Sequence, residues 1–173
     1  GGWRLGYFLI PEALRELRDS LKILASETFT SVSAPIQYAA IAAYNNNHNE
    51  YINDSRSILK AVGEYVFENL KSNTISINKP QGGFYLMPEF LTQKFSTSEE
   101  MCSNILNETG VALLPGSDFG FSKERMITRL SFTDFNGGEF MQNVKKTKKI
   151  DMNSISRFAP KIIEGTKKLK DWV

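Results

Sequence analysis

Two arginines stand where arginine is awkward. Arg4 opens a short, mostly apolar run, Arg4–Ile10 (RLGYFLI), next to Trp3. Arg129 lies inside another, Met126-Ile127-Thr128-Arg129-Leu130-Ser131-Phe132. The period of two in a strand places Thr128, Leu130 and Phe132 on one face, and Ile127, Arg129 and Ser131 on the other. A guanidinium at mid-strand needs an anion to meet its charge. Its planar fork matches a carboxylate or a phosphate through two parallel hydrogen bonds. Pattern alone leaves two readings of Arg129 open. One is a structural ion pair with an Asp or Glu of the same chain. The other is a grip on the anionic group of a ligand.

Other chemistry is thinly represented. Leu114-Pro115-Gly116-Ser117-Asp118-Phe119-Gly120 is dense in turn formers, and Gly116 and Gly120 would permit a positive φ there. By itself the stretch reads as a turn. The single histidine, His48, sits in Asn45-Asn46-Asn47-His48-Asn49 and reads as a surface residue at a polar helix end. With one His and one Cys, neither a zinc site nor a Cys–His dyad is expected, and no metal is assigned. No GxGxxG or Walker pattern occurs.

The elements that would carry these residues follow from periodicity. The run 4–10 reads as a buried strand, with Pro11 at the first position of the next helix. Leu14, Leu17, Leu21 and Leu24 then form one apolar stripe. A polar linker is expected over 26–32, with Ser33 capping an Ala-rich helix that begins near Pro35. The segment 49–70 carries Ile52, Leu59, Val62, Val66 and Leu70 on one stripe. At ~1.5 Å per residue it spans roughly 30 Å, enough to bridge two units. Strands are expected at 75–77, 84–87, 111–114 and 127–132, forming one small sheet. A helix between them opens at Ser98-Glu99-Glu100 and ends at Gly110. From Gly138 onward the chain reads as helix, broken near Asn153, with Ile155, Phe158, Ile162, Leu169 and Val173 on one face. The expected fold class is α/β: helices packed on a small sheet, an α+β small domain. The 4–10 strand stands apart and is expected to belong to another sheet.

Bulk composition narrows the function classes. Hydrophobic residues make up 41% of the 173, which supports a packed core rather than disorder. The net charge of +2 gives no field for nucleic acid. Residues 145–173 do carry nine Lys/Arg against three Asp/Glu, but aromatic residues do not interleave with them, so they read as a solvated helix face. One cysteine, Cys102, cannot build a disulfide framework and fits a reducing compartment, hence a cytoplasmic location. No run approaches the ~20 apolar residues of a membrane span. The chain starts Gly1-Gly2-Trp3 without Met and is read as a piece of a longer protein.

Four stretches in order carry a family resemblance. Gly2-Trp3-Arg4-Leu5-Gly6-Tyr7 resembles the GWRLGY segment of class I/II aminotransferases, the fold-type I pyridoxal-phosphate enzymes. Gly82-Gly83-Phe84-Tyr85-Leu86 resembles their GAFYL-like strand. Residues 110–120 (GVALLPGSDFG) are similar to their GVxxxPGxxFG, and Arg129-Leu130-Ser131-Phe132 to their RLSF. The resemblance covers roughly residues 1–135. It implies that Arg4 contacts the phosphate of pyridoxal 5'-phosphate, and that Arg129 grips the α-carboxylate of the amino-acid substrate. It implies an amino-group transfer between an amino acid and a 2-oxo acid. It implies residues 1–48 as the end of a large cofactor-binding domain, and 49–173 as a small C-terminal domain entered by a long bridging helix. A homodimeric parent is implied too. The Schiff-base lysine of the family lies about eight residues before the GWRLGY arginine, upstream of Gly1, so this chain is expected to carry no catalytic residue and to be inactive alone. A lyase on the same fold and a non-catalytic binding or regulatory module are the alternatives.

Overall fold

The computed structural model describes residues 2–29 and 31–173. They form two compact units, Gly1–Asn49 and Glu50–Val173.

The first unit holds a single-turn 3-10 helix, Glu12–Leu14, and two α-helices, α1 (Arg15–Thr28) and α2 (Ala34–Asn45). Pro11 stands before the 3-10 turn as its N-cap rather than at the first helical position, because its φ of −63° goes with an extended ψ of 154°. The polar stretch expected to be a linker is helical as far as Thr28. There Thr28 and Ser26 return their hydroxyls to backbone carbonyls one turn back. Ser33 does occupy the N-cap of α2, but its side chain accepts no capping bond.

The expected strand at 4–10 is absent. Those residues are irregular, and Tyr7, Phe8 and Leu9 are exposed. A strand exists only when a neighbour completes its ladder, and no described residue pairs with this one. The leucine stripe of α1 is likewise open, with Leu14, Leu17 and Leu24 about half exposed.

The second unit has the core. Helix α3 (Asn49–Leu70) has the bounds expected from its periodicity and buries Ile58, Val62, Val66 and Leu70 at four-residue steps. Its apolar residues nearest the amino end behave differently, Tyr51 and Ile52 being exposed. Five two- to four-residue strands follow: β1 (Ile75–Ser76), β2 (Tyr85–Leu86), β3 (Glu89–Phe90), β4 (Leu114–Pro115) and β5 (Thr128–Ser131). They make two sheets rather than one. β1 pairs with β3, and β2, β5 and β4 form an antiparallel sheet in that order. Strand β3 was not expected. Pro88 lacks an N–H and ends β2, and the chain then turns to a new partner. Glu89 and Ile127 form an isolated bridge between the two sheets. The strand expected at 111–114 is shifted to Leu114–Pro115.

Helix α4 (Ser98–Thr109) ends at Gly110 as expected, with φ 75°. Its cap is Thr97, whose hydroxyl accepts from the Glu100 amide. Ser98 is the first helical residue and is fully buried. Beyond the sheet lie α5 (Gly137–Thr147), α6 (Met152–Phe158) and α7 (Pro160–Trp172). The chain breaks at 148–151 and again at Ala159, not at Asn153. Lys148 takes a left-handed turn, and Asp151 caps α6 by accepting from the Ser154 amide. Ile155, Ile162 and Leu169 pack inward as expected. Phe132 and Phe140, both with no exposed surface, join this helical layer to α3 and β5. The described architecture is mixed α/β, rich in helix with small sheets.

Candidate functional site

Strand β5 is the centre of its sheet, so its side chains receive neighbours from both sides. Tyr85 of β2 sits opposite Ser131, and Leu114 of β4 sits opposite Arg129. Thr128, Leu130 and Phe132 point into the core, as strand alternation requires, while Arg129 is half-buried. Ile127, expected on the face of Arg129 and Ser131, is buried at the bridge to Glu89.

The Arg129 guanidinium lies over two aromatic rings. Its Cζ is 4.4 Å from the centre of the Tyr85 ring and 4.3 Å from that of Phe119. Tyr85 comes from the strand on one side of β5, and Phe119 from the turn that follows the strand on the other. No described residue supplies a carboxylate or a hydrogen-bond acceptor to its five N–H groups. The structural ion pair left open by the sequence is therefore not what holds this side chain. Its charge rests on π faces, and its hydrogen-bonding edge is unspent.

Local chemistry explains how Phe119 arrives there. Gly116–Phe119 is a 3-10 turn closed by Gly120, whose φ of 84° is left-handed. Gly116 serves differently from expectation, since its φ is not positive. Its N–H donates to the Ile127 carbonyl at 2.8 Å, and a Cβ there would lie 2.9 Å from that oxygen. Ser117 donates its hydroxyl to Glu99, and Ser98 donates to Ser117 at 3.4 Å, so the turn is tied to the start of α4. The Ser117 bond is the main reason the Glu99 carboxyl titrates below its usual range.

Arg4 belongs to the first unit. It has φ 53°, in the left-handed region, and lines a cleft of about 360 Å³ with Trp3, Leu5 and Gly6. The two arginines singled out by sequence thus lie in different units, each with its own surroundings. His48 is exposed in the connection between α2 and α3. No group of His, Cys, Asp and Glu among the described residues could hold a metal ion. No described helix is long and apolar enough to cross a membrane.

Tyr85 and Phe119 were not singled out as functional from sequence. Both stood inside the quoted motifs, but only the strand pairing brings them to Arg129.

The chain belongs to the class I and II aminotransferases, whose family model matches residues 1–137. It is 33% identical to an aspartate aminotransferase of Bacillus sp. (strain YM-2) over 124 residues, covering 69% of this chain and 31% of that protein. It is 30% identical to a probable aspartate/prephenate aminotransferase of Aquifex aeolicus, covering 69% and 30%. Among solved structures, an alanine aminotransferase from Pyrococcus furiosus superposes with a TM-score of 0.66 at 25% identity, over 99% of this chain and 38% of that one. The chain spans about a third of the length of these relatives.

Proposed function

We propose that the complete protein is a pyridoxal-phosphate-dependent aminotransferase that moves an amino group between an amino acid and a 2-oxo acid. Residues 1–48 are, in this reading, the end of its large cofactor-binding domain, and residues 49–173 its small domain. The observation that carries it is the Arg129 guanidinium, held by Tyr85 and Phe119 with its donors free of any described acceptor. An arginine so placed is ready for a carboxylate brought by substrate.

The cofactor, when bound, supplies an electron sink for negative charge at the substrate Cα. The Arg4 segment fits its phosphate in kind: a guanidinium bordering a cleft of about 360 Å³, beside a backbone with little side-chain bulk at Gly6. Arg129 receives the α-carboxylate and fixes the rotation of the substrate about it, which orients the Cα–H bond. The half-buried setting of Arg129 raises the strength of that ion contact over what water would allow. The lysine that accepts the α-proton lies in the part of the protein outside this chain. The lone Cys102 supports a reducing compartment, and we extend the reading to a cytoplasmic homodimer in amino-acid biosynthesis.

The test is Arg129→Lys in the full-length protein. Lysine keeps the charge and loses the planar fork. One charge-assisted hydrogen bond is worth about 1.5–3 kcal/mol, so kcat/KM should fall by roughly 10- to 100-fold. An unchanged kcat/KM for every accepted amino acid refutes the assignment.

A further inference from the structure

We propose that Tyr85 and Phe119 are positioning residues for the substrate carboxylate, acting together through Arg129; this rests on the reading that Arg129 receives that carboxylate.

The argument begins with what the rings do and do not take from the cation. An aromatic face attracts a guanidinium through its quadrupole and offers no conventional acceptor. Cζ of Arg129 lies 4.4 Å from one ring centre and 4.3 Å from the other, so both contacts are close. An Asp or Glu in the same place would hold the side chain equally firmly, but it would occupy the fork that a ligand needs. Two rings hold the arginine while leaving the fork open.

Placement in the fold makes the restraint two-sided. Tyr85 is anchored by the β2–β5 ladder, where it faces Ser131. Phe119 is anchored by a turn whose start is fixed by the Gly116–Ile127 hydrogen bond. The neighbouring Ser117 is tied to Glu99 of α4. Arg129 itself is set by its pairing with Leu114. Three backbone segments thus converge on one flexible side chain. Such a side chain has many rotamers in water, and ordering it in advance removes that cost from substrate binding. The rings also restrict where an anion can approach. N–H donors point within the guanidinium plane, and that edge is the one a planar carboxylate meets.

The experiment uses the full-length holoenzyme with Tyr85→Leu, Phe119→Leu and the pair. Tyr85→Phe and Phe119→Tyr serve as conservative partners. Four readouts separate positioning from general structure. KM for the amino acid should rise about 3- to 30-fold in each Leu variant, the range expected for one cation–π contact. The Kd for the α-methyl amino acid, which has no α-proton to lose, should rise by the same factor in calorimetry. The half-reaction of the matching primary amine, which lacks the carboxylate, should change less than about twofold. In an Arg129→Ala background the Leu substitutions should have no further effect on Kd. The conservative variants should bind normally, since each keeps a ring face.

Leu variants with unchanged Kd overturn the proposal while leaving Arg129's role standing. Leu variants that slow the carboxylate-free amine equally also overturn it, because the rings would then be general scaffold. If Arg129→Lys alone is harmless, the underlying reading fails and the proposal falls with it.

Discussion

Arg125 donates through Nε and Nη2 to the two carboxylate oxygens of Glu89, at 2.9 and 2.7 Å. The pair joins the start of β3 to the loop leading into β5, beside the bridge between Glu89 and Ile127. Hydrogen bonding from Arg125 is the main reason the Glu89 carboxyl titrates below its ordinary range. Partial burial opposes the shift, and the Arg125 charge adds to it. A carboxyl depressed in the folded state adds stability above its unfolded pKa of about 4.3, and that stability is lost as pH falls through the lower folded value. Glu89→Gln should therefore unfold at lower urea than the parent at neutral pH, with the gap closing in acid below about pH 4. The effect should be modest, since about half of the Arg125 side chain is exposed. A gap that stays constant from neutrality into acid would show that the pair does not link stability to protonation.

Gly116→Ala should destabilise the second unit by about 1–3 kcal/mol. The added Cβ would stand 2.9 Å from both the Cβ and the carbonyl oxygen of Ile127, and backbone cannot step aside as a side-chain tip can. Gly82→Ala is the matched control, with no atom within 4 Å of the added methyl. It should stay within about 0.5 kcal/mol of the parent in the same denaturation experiment. Equal costs at the two positions would remove the close approach as the cause.

Arg4→Ala in the full-length protein should weaken retention of pyridoxal phosphate first. Losing a charge-assisted bond worth about 1.5–3 kcal/mol predicts a 10- to 100-fold rise in the cofactor Kd, measured by equilibrium dialysis. Arg129→Lys should leave that Kd unchanged. The two substitutions form a crossed pair, and an effect of Arg129→Lys on cofactor retention would break the separation of roles.

The 173-residue chain alone should show no transaminase activity. Incubation with pyridoxal phosphate, several amino acids and 2-oxoglutarate should yield no keto acid above buffer. Turnover beyond one equivalent would place a working lysine among residues 1–173.

Much of the second unit was legible because its signals are local. The four-residue steps through Val62, Val66 and Leu70 defined α3, and Gly110 marked the end of α4. Alternation along 127–132 placed Arg129 opposite to Thr128 and Leu130. What escaped were pairings between distant segments. The strand read at 84–87 stops before Pro88, and the unexpected β3 just beyond it joins β1, so the single expected sheet becomes two. The run 4–10 has the apolar composition of a strand, but composition cannot supply a neighbour, and none of the described residues pairs with it. Arg129 drew notice as a charge inside an apolar strand pattern, in an RLSF context. Its two aromatic partners did not, because a Tyr in a strand and a Phe in a turn are ordinary until the register brings them onto one cation.

Cys102 is the single cysteine of the chain; it is buried in α4, with its thiol pushed up to about 11, chiefly by burial. Thiol reagents attack the thiolate, so the native protein presents them with almost nothing. Alkylation must wait for α4 to lift from the core, and its rate becomes a clock for that opening. The molecule thus carries a built-in reporter of the very helix that anchors the Phe119 turn. Timing how fast the sulfur is trapped, with and without substrate, would measure how tightly an occupied Arg129 locks the layer beneath it.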